Sequence, residues 1–332
     1  MGGRSVLFSV SADSYEWAAR EIRDEFGREV RIERVSGDLG RVIGPSVQEL
    51  AQGCDAGRVI FVRHLTVEIA SFDGLPPDYE LADLVLGELP EYPKALAVQA
   101  WTDGPGTGGS YYHRIEQALT ERGVTVTRSG QELVVSCFAG RRGVLLGLNR
   151  LADSLSDWPG GRMRLARGEE RVSRSEFKLE EAIATFGLEL PAGGKAVDLG
   201  AAPGGWTRIL RQHGQEVWSV DPGSLDPRLR TDRRIHHEAT TAGRFFATNR
   251  ILFDVVVNDM RMDQVLSARM MLDAAAHLRR GGLAIVTLKG GGKNPLDGAR
   301  RGLDVLRRQY DVLHARQLHH NRNEITVVAR KR

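Results

Sequence analysis

Nine residues, Asp198-Leu-Gly-Ala-Ala-Pro-Gly-Gly-Trp206, restrict this 332-residue chain more than any other stretch. A short apolar run, Ala196-Val197, leads in, and a helical pattern, Thr207-Arg-Ile-Leu-Arg-Gln, leads out. The sequence therefore reads as a strand, a tight glycine turn and a helix N-terminus. Glycine lacks a Cβ and tolerates positive φ, so backbone in such a turn can come close to a ligand. That is the arrangement of a nucleotide-type cofactor site at the carboxyl end of a parallel strand.

The spacing narrows the cofactor. A dinucleotide turn needs G-x-G-x-x-G so that pyrophosphate can lie on the helix N-terminus. Here Gly200 is followed by Ala201, Ala202 and Pro203 before Gly204 and Gly205, which disfavours an NAD-dependent oxidoreductase. A phosphate-binding loop of the G-x-x-x-x-G-K-[ST] type is absent as well, and Gly290-Gly-Gly-Lys-Asn294 only resembles its ending. The next strand, Val217 to Val220, ends in Asp221. An acid there can accept hydrogen bonds from ribose hydroxyls. A ribose-binding acid without a phosphate cradle fits S-adenosylmethionine (SAM), which has a ribose and a cationic sulfonium but no phosphate.

From Ser175 onward, strands alternate with helices. Strands are expected at Ala196–Leu199, Glu216–Val220, Phe253–Asn258, Leu283–Leu288 and Glu324–Ala329. Helices are expected at Phe177–Phe186, Ser267–Arg279 and Asp297–Gln309. This is an α/β pattern, a mostly parallel and doubly wound Rossmann-like sheet. The first half differs. Strands at residues 4–10, Val30–Val35 and Arg58–Val67, with a helix over Ala12–Phe26, suggest a small α+β unit ending near Leu86. A second such unit begins near Ala95, with strands at Ala95–Trp101, Val124–Arg128, Leu133–Phe138 and Gly143–Leu148. It also holds a glycine-rich loop over Asp103–Gly109 and a helix over Tyr111–Arg122. An arginine-rich connector, Arg162–Arg174, joins the halves.

Charge separates the halves too. Residues 1–165 carry a balance of −5 and residues 166–332 a balance of +8. A basic half around a cofactor turn suits a polyanionic substrate, because Lys and Arg displace counterions from phosphates. No apolar run approaches the roughly 18–20 residues of a membrane helix. The two cysteines, Cys54 and Cys137, lack metal-site spacing. With no secretory signal in the first residues, the expectation is a cytoplasmic protein with no membrane partner and no bound metal.

The glycine turn resembles the first motif of the FtsJ-like RNA 2′-O-methyltransferases. That family carries a Lys–Asp–Lys–Glu tetrad on four separate motifs, and similar motifs occur here in the same order. They are Ser173-Arg-Ser-Glu-Phe-Lys178, Val255-Val-Val-Asn-Asp259, Val286-Thr-Leu-Lys289 and Asn323-Glu324-Ile-Thr-Val. The resemblance implies that Lys178, Asp259, Lys289 and Glu324 are catalytic. It makes Lys289 the general base, with Lys178 lowering its pKa by like-charge repulsion and the two acids orienting the lysines. It implies that SAM lies against Ser175, Gly200, Ala202, Pro203, Gly204, Gly205, Trp206, Asp221, Glu238 and Asp259. Asp259 would face the methionine amino group, and Glu238 is a candidate for the adenine edge.

Lys178-Leu-Glu-Glu-Ala, Ala315-Arg-Gln-Leu-His-His-Asn-Arg-Asn-Glu324 and parts of the first half are similar to one branch, the ribosomal RNA large subunit methyltransferase M family of bacteria. That likeness implies a ferredoxin-like domain over 1–87, a THUMP-like RNA-binding domain over 88–165 and a methyltransferase domain over 166–332. The expected partner is RNA, large-subunit ribosomal RNA above all, and no DNA is expected. Arg300, Arg301 and Arg307 on a predicted helix, with His320 and Arg322 ahead of Glu324, are expected RNA contacts, as is the arginine cluster after Asp221 at 228, 230, 233 and 234. The glycines after Lys289 suggest a lid over Gly290–Pro295. A catalytically silent RNA-binding or ribosome-assembly factor on the same fold is the alternative.

Overall fold

A computed structural model describes residues 4–103, 108–166, 168, 170–290 and 294–332. Of the loop expected at 103–109, residues 104–107 lie outside the described residues, and so do residues 291–293 of the expected lid. The chain divides into two compact units between Met163 and Arg164. Among the described residues no helix is long and apolar enough to cross a membrane.

In the first unit the order is β1 (Val6–Ser9), α1 (Tyr15–Phe26), β2 (Arg31–Arg34), β3 (Leu39–Ile43), α2 (Val47–Asp55) and β4 (His64–Phe72). It continues with α3 (Asp78–Gly87), β5 (Ala95–Thr102), α4 (Gly109–Thr120), β6 (Thr125–Thr127), β7 (Leu133–Gly140) and β8 (Gly143–Arg150). The eight strands form one sheet in the order β2-β3-β1-β4-β8-β7-β5-β6. β4 joins its two sides: His64–Val67 pair with β1, and Glu68–Phe72 pair with β8.

The apolar run at Val59–Val62 is not the strand its composition suggests. It is a buried loop, and the backbone N–H groups of Ile60 and Phe61 donate to the buried Glu21 carboxylate at 3.0 and 3.1 Å. The carboxylate supplies what a sheet ladder would otherwise have supplied. β3 escapes notice in the sequence because Gly40 interrupts it. That glycine lies against the Phe8 ring, in the space a Cβ would need. Helix α2, also unexpected, opens on a capping box between Ser46 and Glu49.

The second unit contains α5 (Glu176–Thr185), β9 (Lys195–Leu199), α6 (Gly205–Gln212), β10 (Glu216–Val220), β11 (Ile235–Glu238), α7 (Ala242–Thr248) and β12 (Phe253–Asn258). After these come α8 (Gln264–Ala275), β13 (Leu278–Lys289), α9 (Pro295–Leu306), β14 (Tyr310–Arg316) and β15 (Glu324–Lys331). The sheet order is β11-β10-β9-β12-β13-β15-β14. Strands β9 to β13 pair in parallel, and β15 runs antiparallel to both its neighbours. This is the expected Rossmann-like sheet. Strand order reverses between β9 and β12, so the crevice at their carboxyl ends is the place where such sheets bind ligands. α5 and α6 cover one face. Leu179, Trp206, Ile209 and Leu210 pack there with Ala196, Val255, Val257, Ile285 and Val328.

Two helices stop earlier than their sequence pattern suggests. α9 ends at Leu306, which leaves Arg307 and Arg308 in the following turn, and α8 ends at Ala275 because β13 already begins at Leu278.

β9 delivers Asp198 to the sheet interior. Its Oδ2 accepts from Thr207 Oγ1 at 2.7 Å, and Thr207 Oγ1 lies 2.8 Å from Ser219 Oγ. Burial pushes the Asp198 carboxyl up to about 7; the charges of Asp259 and Asp221 add to this and the Thr207 hydrogen bond opposes it.

Two stability outcomes follow from this packing. Ile285 is fully buried, so Ile285→Ala should cost the second unit about 2–5 kcal/mol in denaturant unfolding. Asp198 has a folded pKa above its unfolded value, so the folded state binds more protons. Measured against Asp198→Asn, wild-type stability should be highest below about pH 4, fall as pH rises to about 7, and stay level above that. Parallel curves for the two proteins from pH 4 to 8 would contradict it.

Candidate active site

The turn after β9 is built for close approach. Gly200 has φ +75°, and a Cβ there would overlap the Met260 side chain. Gly204, at φ +111°, caps α6, and a Cβ would overlap Leu229. Gly205 packs on the hydroxyls of Ser173 and Ser175. Trp206 is buried, and its indole N–H donates to the Ser175 carbonyl at 2.8 Å. Trp206 and Ser175 therefore fasten the start of α5 to the start of α6. The Ser175 hydroxyl lies 2.6 Å from that of Ser173.

Asp221, at the end of β10, is tied to the same turn. Its Oδ2 accepts from the Ala202 N–H at 3.2 Å and its Oδ1 from the Gly223 N–H at 2.6 Å. Pro203 accepts at its carbonyl from the Asp226 N–H at 2.8 Å. Glu238 ends the neighbouring strand and pairs in register with Val220, so the two acids stand side by side along the carboxyl edge. Between Leu199 and Trp206 there is no Lys or Arg to neutralise a phosphate. Close backbone, a partly open acid at the second strand and no basic residue fit a ribose-bearing, phosphate-free cofactor.

Next to this turn the four tetrad residues meet. Lys178 comes from α5, Asp259 follows β12, Lys289 ends β13 and Glu324 begins β15. The antiparallel register sets Lys289 opposite Glu324. Lys178 Nζ lies 3.1 and 3.2 Å from the two Asp259 oxygens and 2.7 Å from Glu324 Oε1. Lys289 Nζ lies 2.6 Å from Asp259 Oδ1 and 3.1 Å from Glu324 Oε2. Each carboxylate thus bridges both ammonium groups in a closed ring of alternating charge.

That ring alters the expected electrostatics. Burial would lower the Lys178 pKa, but Asp259 and Glu324 outweigh it and hold Lys178 above its ordinary value. Repulsion between the lysines is offset by two carboxylates that touch both. Asp259, expected to face a cofactor amino group, already accepts from Lys178, Lys289 and Thr287 Oγ1, the last at 2.6 Å.

Thr287 and Glu176 are site residues the sequence reading passed over. Thr287 stands two residues before Lys289 on the same strand, hence on the same side, and that alternation is a usable signal. Glu176 is fully buried, accepts from the Val172 and Ser173 N–H groups at 2.6 and 3.3 Å, and pairs with Arg171 and Arg208. The Ser173-Arg-Ser-Glu176 spacing is that of a capping box, but only half of one forms: Glu176 accepts from the Ser173 N–H, while among the described residues no serine hydroxyl caps the start of α5.

The expected RNA contacts fare unevenly. Arg301 and Arg322 are exposed, and Arg300 is half-buried on α9. Arg307 lies at the α9 C-cap, 3.2 Å from Asp304. His320 faces inward: its Nδ1 is 2.7 Å from Glu181 and its ring stacks on Phe177. In the arginine cluster, Arg228 pairs with Asp226, while Arg230 and Arg234 donate to the carbonyls of Leu225 and Gly214. Among the described residues no cluster of His, Cys, Asp and Glu could hold a metal ion.

Comparison with known proteins meets this geometry. The FtsJ-like methyltransferase family matches residues 171–288, which include the glycine turn, Lys178 and Asp259. Ribosomal RNA large subunit methyltransferase M of Halorhodospira halophila is 32% identical over 289 residues, 82% of this chain and 81% of that protein. The protein of that name from Alkalilimnicola ehrlichii is 36% identical over 215 residues, 60% of this chain and 59% of its own. Among solved structures, TrmN from Thermus thermophilus covers 99% of this chain and 100% of its own at 17% identity, with a TM-score of 0.39, too low to argue from. The likeness to the Halorhodospira protein runs through both units, and with it the chain belongs to the ribosomal RNA large subunit methyltransferase M family, whose members are SAM-dependent methyltransferases.

Proposed function

We propose that this chain methylates a ribose 2′-hydroxyl of large-subunit (23S) ribosomal RNA, with Lys289 as general base. The observation that carries this reading is the ring of Lys178, Asp259, Lys289 and Glu324 beside the glycine turn. A 2′-hydroxyl is a weak acid and a poor nucleophile. It has to be held in line with the bond being broken and to give up its proton as the new bond forms. Bound SAM supplies an electrophilic methyl group on a sulfonium. The residues that would hold it are Ser175, Gly200, Ala202, Pro203, Gly204, Gly205 and Trp206 along the turn, Asp221 at the ribose and Glu238 beside it.

The lysines differ in a way that supports the division of labour. Lys178 is engaged by three carboxylate contacts and held as a cation. It steadies negative charge growing on the hydroxyl oxygen. Lys289 has one contact to each carboxylate and is the more exposed of the two, 21% against 17%. With fewer carboxylate contacts, it is the lysine proposed to turn toward the substrate hydroxyl and, once it has given up its own proton, to take the hydroxyl proton. Asp259 and Glu324 set the direction of both.

The same reading takes residues 1–87 as ferredoxin-like, 88–165 as a THUMP-like RNA-binding domain and 166–332 as the methyltransferase, in a cytoplasmic protein. The strand–helix–strand–strand–helix–strand order of β1 to β4 supports the first of these. Arg300, Arg301, Arg307 and Arg322 are the proposed RNA contacts in the catalytic unit.

Lys289→Ala should reduce methyl transfer to ribosomal RNA by about a hundredfold or more while calorimetric SAM affinity is kept. Nucleoside analysis of the product should show the methyl group on ribose. A methylated base, or full activity in the variant, rules this reading out. Arg301→Ala should weaken RNA binding similarly across sequences and flatten the salt dependence of log affinity by about one.

A further inference from the structure

Lys178 and Glu324 come from opposite ends of the second unit, yet their charged atoms meet at 2.7 Å. Something has to hold α5 against the segment that leads into β15. Glu181 lies one turn beyond Lys178 on α5 and is buried. Its Oε1 accepts from the His319 N–H at 2.7 Å. Its Oε2 accepts from the His320 N–H and from the His320 ring, both at 2.7 Å. Since a carboxylate can only accept, Nδ1 is the protonated ring nitrogen. A carboxylate this deep is kept at a large desolvation cost unless donors replace its water, and here three do.

A second grip lies on the other side of Lys178. The Phe177 ring stacks on His320, with centroids 5.0 Å apart and planes 14° apart. Arg171 covers Phe177, with its guanidinium carbon 4.1 Å from the ring centroid. α5 therefore holds the 319–320 segment one residue before and three residues after its catalytic lysine. The segment itself is stiff: Asn321 Oδ1 accepts from the Leu318 N–H at 2.9 Å and from Thr326 Oγ1 at 3.0 Å. These bonds link the segment that holds His319 and His320 to the strand that begins with Glu324.

We infer that Glu181 is a positioning residue, which sets the Glu324 carboxylate against Lys178 and Lys289 by clamping the segment that precedes it. The inference rests on the tetrad reading above. It also gives His320 a part as the inner jaw of the clamp.

The test is a double-mutant cycle on the full chain with Glu181→Gln and Glu324→Gln, reading kcat, KM for a ribosomal RNA fragment and SAM affinity. Glu181→Gln is close to isosteric but turns one acceptor into a donor facing an N–H. Its kcat should fall about tenfold or more, with KM and SAM affinity within about twofold, because misplacement by a fraction of an ångström is enough. In the Glu324→Gln background the same change should cost less than about twofold, since Glu181 acts through Glu324. An equal loss in both backgrounds, or a loss of SAM affinity in step with kcat, overturns the inference in favour of a general structural role. If Glu324→Gln lowers kcat but Glu181→Gln does not, the inference fails and the tetrad stands. If Glu324→Gln changes nothing, the tetrad reading fails and takes the inference with it. Should Glu181→Gln not fold, His320→Ala leaves both backbone bonds in place and carries the same cycle, with about a threefold loss expected only when Glu324 is present.

Discussion

Two ammonium groups and two carboxylates share one small, largely buried volume at the carboxyl edge of the second sheet, and each is compensated there by the others. Removing one leaves a charge uncompensated where water reaches poorly, which is why breaking such a set costs more than forming it gains. The fold meets this demand by register. The β13–β15 pairing puts Lys289 opposite Glu324, β12 lies beside β13 and brings Asp259 alongside, and α5 is docked so that Lys178 reaches across. A slip of one residue in β15 would turn Glu324 to the other face of the sheet.

The glycine turn and the charged ring are neighbours by construction. Gly200 packs on Met260, the residue after Asp259, so the glycine turn and that acid belong to one packed surface. Asp221 draws Ala202 toward the second strand from the other side. Trp206 and Gly205 anchor the start of α5, three residues before Lys178. The turn's glycines are therefore needed as much for where they let their neighbours stand as for the room they leave a ligand.

Much of this could be read from the chain. β10 and β12 have the bounds expected of them, each built around a short buried apolar core, Val217-Trp218 in β10 and Val255-Val-Val257 in β12. The four tetrad residues are proposed through the resemblance of their motifs to the FtsJ-like family, and three of them, Asp259, Lys289 and Glu324, stand at or just beside strand ends. What stayed hidden depends on partners distant in sequence. β11, Ile235-His-His-Glu238, is an edge strand with almost no apolar signal. The Val59–Val62 run has the composition of a strand, and it is Glu21, distant in sequence, that accepts from its backbone instead. Glu181 draws no role from the sequence, and His320 reads there as an RNA contact, because nothing local shows that each is the other's partner. α9 stops three residues short of its periodic pattern, which moves Arg307 off the helix face that spacing alone had assigned to it.

β4 has an implication for how the first unit can be divided. One nine-residue strand is edge partner to β1 along its first half and to β8 along its second. A fragment beginning after Gly87 would keep β5 to β8 but lose the strand that covers Val144–Gly147, and it would present those backbone groups as an open edge ready to recruit any strand it met. Two modules that look separable along the chain are, as a sheet, joined by a shared seam.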